Sequence, residues 1–145
     1  MPTSALPRTV LALAVALALC GLTPDLAASA GRTAAACPDL SGDWDSGSWT
    51  SATTGHTGKL RATLTRCGAN RYRCTFCGTF WKVVPFRYTV PLHVTGCRDG
   101  VVYFRASKTL PLCGGTFTCS GCATSRTLRA NFSAQDDRGT FVMSR

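Results

Sequence analysis

Nine cysteines and two histidines are the side chains best equipped for chemistry in this 145-residue chain. Four of the thiols form two C-x-x-C pairs, Cys74-Thr-Phe-Cys77 and Cys119-Ser-Gly-Cys122. Four thiolates at such spacing could hold zinc tetrahedrally, which makes Cys74, Cys77, Cys119 and Cys122 the alternative metal set. The 41 residues between the pairs exceed the roughly 15–20 of compact zinc ribbons, so no metal or other cofactor is the first expectation. A thioredoxin-like role needs one cysteine at a helix N-terminus, and no helical pattern follows either pair.

His56 sits in the glycine-bounded stretch Thr53-Thr-Gly-His-Thr-Gly58, where it could meet a ligand or act as a base. Its plainer role is a turn residue bonded within its own loop. His93 falls on the outward phase of a strand pattern. Asp43 and Asp45 stand two apart and, on one strand, would face the same side, able to share a proton or a cation. A solvated strand face is the commoner outcome. No G-x-S-x-G elbow, H-E-x-x-H or P-loop is present, so no catalytic residue is assigned and an enzyme is the least favoured class.

The elements that position these groups follow from composition. All seven acids are Asp, and only three Lys and one Gln occur. Soluble helices draw their surfaces from Glu, Lys and Gln, so little or no helix is expected outside a targeting segment. Glu-dependent glycosidase and metalloprotease schemes are excluded. Arg8, the apolar run 10–22 and Ala28-Ser29-Ala30 make a secretory signal over residues 1–30, too short to span a bilayer. Leu17-Ala18-Leu19-Cys20 offers the alternative of a lipoprotein anchored at Cys20, although Leu19 fits that motif poorly. The mature chain is expected to be secreted or periplasmic, with no transmembrane segment.

Cleavage after Ala30 removes Arg8 and Asp25, one charge of each sign, so the net charge stays +9. It also removes Cys20 and leaves Cys37, Cys67, Cys74, Cys77, Cys97, Cys113, Cys119 and Cys122. An even set in an exported chain predicts disulfides, each worth about 2–4 kcal/mol, with connectivity open.

Residues 31–41 form a small-residue lead-in, and from Gly42 to Arg145 the hydrophobic period is two. Strands are expected over 57–66, 71–80, 82–94, 101–107, 115–119, 124–132 and 139–144, besides one at 41–49. In the longest, Val84, Phe86, Tyr88, Val90, Leu92 and Val94 face inward. Pro85 and Pro91 face outward and mark bends, bulges or edges. Gly-Thr-Phe occurs at 78–80, 115–117 and 139–141, read as a glycine bulge that feeds a phenylalanine into the core. Seven to nine short strands in one domain, 42–145, predict an all-β fold, a small antiparallel meander barrel.

The segment Ser41-Gly42-Asp43-Trp44-Asp-Ser-Gly47-Ser-Trp49 resembles the first strand of avidin-like and lipocalin-like barrels. That resemblance implies that Trp44 plugs one barrel end and that Arg145 lies over it. Avidin's biotin-binding set finds no match here, and neither does the lipocalin C-terminal helix. Thr54-Gly-His-Thr-Gly58, Val84-Pro-Phe-Arg-Tyr88 and the last Gly139-Thr-Phe also resemble small exported bacterial β-proteins, a likeness that carries no activity.

Two functions follow. In the first, inward residues fill the barrel, which serves as an interaction scaffold. Its exterior of Arg61, Arg71, Arg73, Arg87 and Arg129 suits an anionic envelope or polysaccharide surface. Nucleic acid is a poor partner, because Tyr72 points inward and leaves the arginines without stacking platforms. In the second, the interior holds a small apolar ligand near Trp44, Trp49, His56, Phe86 and Tyr88.

Overall fold

A computed structural model describes residues 36–110 and 115–145. The signal segment, Cys20 and Cys113 lie outside the described residues. Nine strands and no helix occur among those described: β1 (Gly42–Trp44), β2 (Ser46–Ser51), β3 (Thr57–Gly68), β4 (Arg71–Phe80), β5 (Val84–Arg98), β6 (Val101–Thr109), β7 (Thr116–Ala123), β8 (Thr127–Ser133) and β9 (Arg138–Ser144). Every pairing is antiparallel. The order β3-β2-β9-β8-β7-β6-β5-β4 returns to β3, so eight strands close a meander barrel, and β1 adds a short second partner for β3. Closure leaves few backbone groups without a ladder, which is how an all-β chain avoids open sheet margins.

Alternation sets which side chains fill the barrel. Leu60, Ala62 and Leu64 of β3 are buried and alternate with exposed Lys59, Arg61 and Thr63. Tyr72, Cys74 and Phe76 do the same in β4. Arg61, Arg71, Arg73, Arg87 and Arg129 all face solvent, as the alternation requires. Register slips occur at Cys67 of β3 and Thr95 of β5. The Gly-Thr-Phe glycines are therefore not bulges, contrary to expectation. Gly78 and Gly139 lie in ladder register opposite Phe86 and Phe132, and Gly115 precedes β7 at φ 75°.

The barrel ends differ. At the closed end Trp44 is fully buried, and its indole N–H donates to the Leu40 carbonyl at 3.1 Å. Arg145 lies over the indole, 4.4 Å from the ring centroid, and donates to the carbonyls of Asp39, Ser41 and Ser125. The plug implied by the N-terminal motif is thus in place. Tyr72 donates to Asp39 at 2.9 Å and accepts from the Leu40 N–H. A disulfide joins Cys37 to Cys97 and ties the lead-in to the end of β5.

Towards the other end, one seam of the wall loosens. The β5–β6 register runs from Leu92–Ala106 to Arg98–Val101, so Val84–Pro91 and Ser107–Thr109 continue beyond their shared ladder. Lys108 crosses that gap, its Nζ donating to the Thr89 carbonyl at 2.6 Å.

Candidate functional site

The open end carries the candidate site. Residues 52–56, 81–83 and 134–137 surround it, together with Leu110 and Gly115. Below them lies a cavity of about 240 Å³ in the barrel interior, walled by Trp49, Phe76, Phe80, Phe86, Tyr88 and Phe141 among others. Asp137 is its one charged lining residue. A shallower recess of about 320 Å³ at the mouth shares Trp49, Phe80 and Asp137 with the cavity and adds His56, Trp81 and Asp136.

Most of the rings pack along the wall, and one pair meets across the interior. Phe86 stacks on Tyr88 at 5.5 Å, and Phe80 lies 4.5 Å from Phe86. Trp49 meets Phe80 edge-on at 5.5 Å and Phe132 at 6.4 Å. Phe141 of β9 meets Phe76 of β4 across the interior at 5.3 Å. Offset and edge-on pairs of this kind add to what burial alone provides.

Glycine is what keeps the belt flat. Trp49 stands opposite Gly58, Phe86 opposite Gly78 and Phe132 opposite Gly139. A Cβ on any of these glycines would collide with the facing ring. Three aromatic rings can therefore lie on bare backbone beside the cavity. The lower half is filled by Leu64, Tyr72, Leu92, Leu128 and Met143. The filled interior anticipated from the bulk of the inward residues thus describes that half only.

The mouth is held by specific polar contacts. Ser51, 1% exposed, donates from its hydroxyl to Asp137 Oδ1 at 2.5 Å and accepts from the N–H groups of Thr53 and Thr54. Trp49 donates its indole N–H to the Thr79 carbonyl at 3.1 Å. Trp81, 63% exposed, donates to His56 Nδ1 at 3.3 Å. His56 thus bonds within its own loop only through its backbone, and its ring reaches across to the next connection.

Of the residues anticipated as ligand-binding, Trp49, Phe86 and Tyr88 wall the cavity and His56 lines the mouth. Trp44 belongs to the closed end, apart from them. The sequence reading left Phe80, Trp81, Phe132, Phe141 and Asp137 unassigned. The Gly-Thr-Phe triplets point to part of that set, because Phe80, Phe117 and Phe141 all line the cavity.

The cysteines are placed differently from expectation. Residues three apart on a strand point to opposite faces. Cys74 and Cys119 are accordingly buried inside, while Cys77 and Cys122 are half-buried on the outer phase. Cys74 and Cys119 thus face away from Cys77 and Cys122. Among the described residues no cluster of three metal-ligating side chains occurs. Cys37 and Cys97 are the one bonded pair among the described residues, and Cys67, Cys74, Cys77, Cys119 and Cys122 are free thiols, where most were expected to be bonded. Burial pushes both interior thiols up, Cys119 to about 11 and Cys74 further, with the nearby Cys119 adding to the rise at Cys74.

Asp43 and Asp45 do not form a pair on one strand. Asp43 accepts from Thr63 Oγ1 at 2.7 Å, and Asp45 occupies the break between β1 and β2.

No protein-family model matches the chain, and no curated protein matches it. Among solved structures, it is similar in fold to a redesigned β-barrel, mFAP1, bound to DFHBI, with a TM-score of 0.56 and 17% identity. The match covers 73% of this chain and 94% of that one, and at such identity it speaks to the barrel fold alone.

Proposed function

We propose that this protein is a binding module for a small, flat, apolar molecule held in the upper half of the barrel. The observation that carries the reading is an aromatic-walled cavity closed at one end by the Trp44 plug and open at the other. A dry cavity of about 150 Å³ accepts benzene, and drug-sized pockets begin at about 300 Å³. At about 240 Å³ the cavity suits a body of one to two fused rings. That the similarly folded mFAP1 is bound to DFHBI supports a ligand inside such a barrel. The Cys37–Cys97 disulfide supports an oxidising compartment, in keeping with export.

Titration with 1-naphthylamine, whose emission depends on polarity, tests the proposal. Saturable enhancement and a blue shift are expected in the oxidised protein. Val90→Phe, which adds a ring to the cavity wall, should abolish both while the far-ultraviolet circular dichroism is kept. No saturable response from folded protein would overturn the reading.

The five outward arginines support a separate role at anionic surfaces. Retention on a heparin column at physiological salt, lost when Arg61, Arg71 and Arg73 are replaced by Gln, would support it. Elution with neutral proteins of equal size would refute it.

A further inference from the structure

The polar groups at the mouth bear on what kind of molecule enters. This inference rests on the cavity reading above and narrows it to one ligand chemistry. The chain carries sixteen Lys and Arg against seven Asp. Yet the cavity and mouth recess together are lined by Asp136 and Asp137 and by no Lys or Arg. Lys82 in the β4–β5 turn and Arg138 at the start of β9 line neither space, and Lys108 is engaged by the Thr89 carbonyl.

The carboxylate is held in place by a hydroxyl and not by a cation: Asp137 Oδ1 accepts from Ser51. No described Lys or Arg forms an ion pair with it; the one ion pair found joins Arg98 to Asp99 on the outer surface.

The aromatic side is equally specific. Trp81 and Lys82 have φ of 49° and 64°, a left-handed conformation that bulky residues avoid. Such strain persists where its surroundings hold it. Here the His56 bond and the neighbouring Phe80 ring, 6.3 Å from Trp81, hold an exposed indole at the mouth. Indole and phenyl faces attract cations through the ring quadrupole, more strongly when water is displaced.

We propose that the ligand is an organic cation, an ammonium or substituted ammonium joined to a flat apolar body. The body lies in the cavity against Phe86 and Tyr88. The charged head lies in the recess between the rings of Trp49 and Trp81 and the carboxylate of Asp137.

Equilibrium dialysis of the oxidised protein with three probes tests this. All share a 2-naphthylmethyl body and end in trimethylammonium, tert-butyl or sulfonate, which are similar in size and differ in charge. The trimethylammonium probe is expected to bind at least about tenfold more tightly than the tert-butyl probe, with the sulfonate weakest. Asp137→Asn should reduce that preference, the ring faces keeping the remainder, and leave the tert-butyl probe within about twofold. Equal binding of the first two probes overturns the inference and leaves the cavity reading standing. Binding of none overturns both. If Asp137→Asn disturbs the Ser51 loop and the protein no longer folds, the ranking of the three probes on the unaltered chain decides by itself.

Discussion

At the scale of single residues, the five free thiols differ chiefly in access. The thiolate is the nucleophile, so a group that is both buried and raised in pKa is inert. With iodoacetamide at pH 8, the exposed Cys67 near the end of β3 should be alkylated first, followed by Cys77 and Cys122. Cys74 and Cys119 should stay unmodified until the chain unfolds, and tryptic mapping after timed quenching would show the order. Rapid labelling of Cys74 in native protein would contradict the buried placement. Arg145 is the second residue-scale case, because its three carbonyl bonds and the contact with Trp44 all depend on a planar guanidinium. Arg145→Ala should cost about 1–2 kcal/mol in urea denaturation, and Arg145→Lys should recover only part of that. Trp44 and Arg145 were both legible beforehand, through a short motif whose geometry transfers. The C-x-x-C pairs were misleading, because that spacing chelates in turns and helices but splits across the two faces of a strand.

Individual strands carry the site through glycine–aromatic pairs across the ladder. Gly58→Ala would drive a methyl group into the Trp49 indole and the Thr79 carbonyl. The expected result is a loss of about 1–3 kcal/mol together with loss of 1-naphthylamine binding, because Trp49 must leave the wall. Gly55→Ala is the control: its Cβ meets nothing nearby, although φ there is 74°, so some stability is lost while binding is kept. The strands themselves were largely legible, since period-two alternation is a direct record of which face is buried. β7 runs on to Ala123, past the Cys119 end expected for it, with Gly121 lying against the Ala130 backbone of β8. Two turns mark the limit of such reading. Asp99-Gly100 has positive φ at both positions and the sequence expected of such a hairpin turn. Trp81-Lys82 has the same φ signs and no such sequence, so the turn that positions Trp81 had no local signature.

For the whole molecule, stability should be highest across a broad neutral range. Asp39 is held below its ordinary value of 3.8, chiefly by the Ser41 N–H, then by the hydroxyls of Ser41 and Tyr72. Its contribution is therefore present above pH 3.8 and lost as the pH falls through the lower, folded-state value. Tyr72 is raised above 10.0, mainly by burial, so its contribution is full below pH 10.0 and lost as the pH rises towards the folded-state value. Urea midpoints should fall at both extremes, and Tyr72→Phe should flatten the alkaline limb. The disulfide closes a separation of 60 residues, for which chain entropy gives about 4 kcal/mol. Cys37→Ser with Cys97→Ser should lower Tm by about 15 °C, readable by calorimetry.

The loosened seam has a further consequence, for how copies of this protein treat one another. On a strand, the N–H and C=O of one residue point to the same side, and the side alternates with each residue. The Thr89 carbonyl meets Lys108 of β6, so residues 85, 87, 89 and 91 present their backbone to the gap. Pro85 and Pro91 are two of these four, and proline has no N–H to offer. This stretch of wall, able to template a foreign strand, is thus stripped of two donors and guarded by a lysine. Replacing Pro85 and Pro91 with Thr and Lys108 with Ser should give a chain that recruits its own kind. Light scattering and thioflavin T fluorescence would then rise with concentration, while the parent protein stays silent.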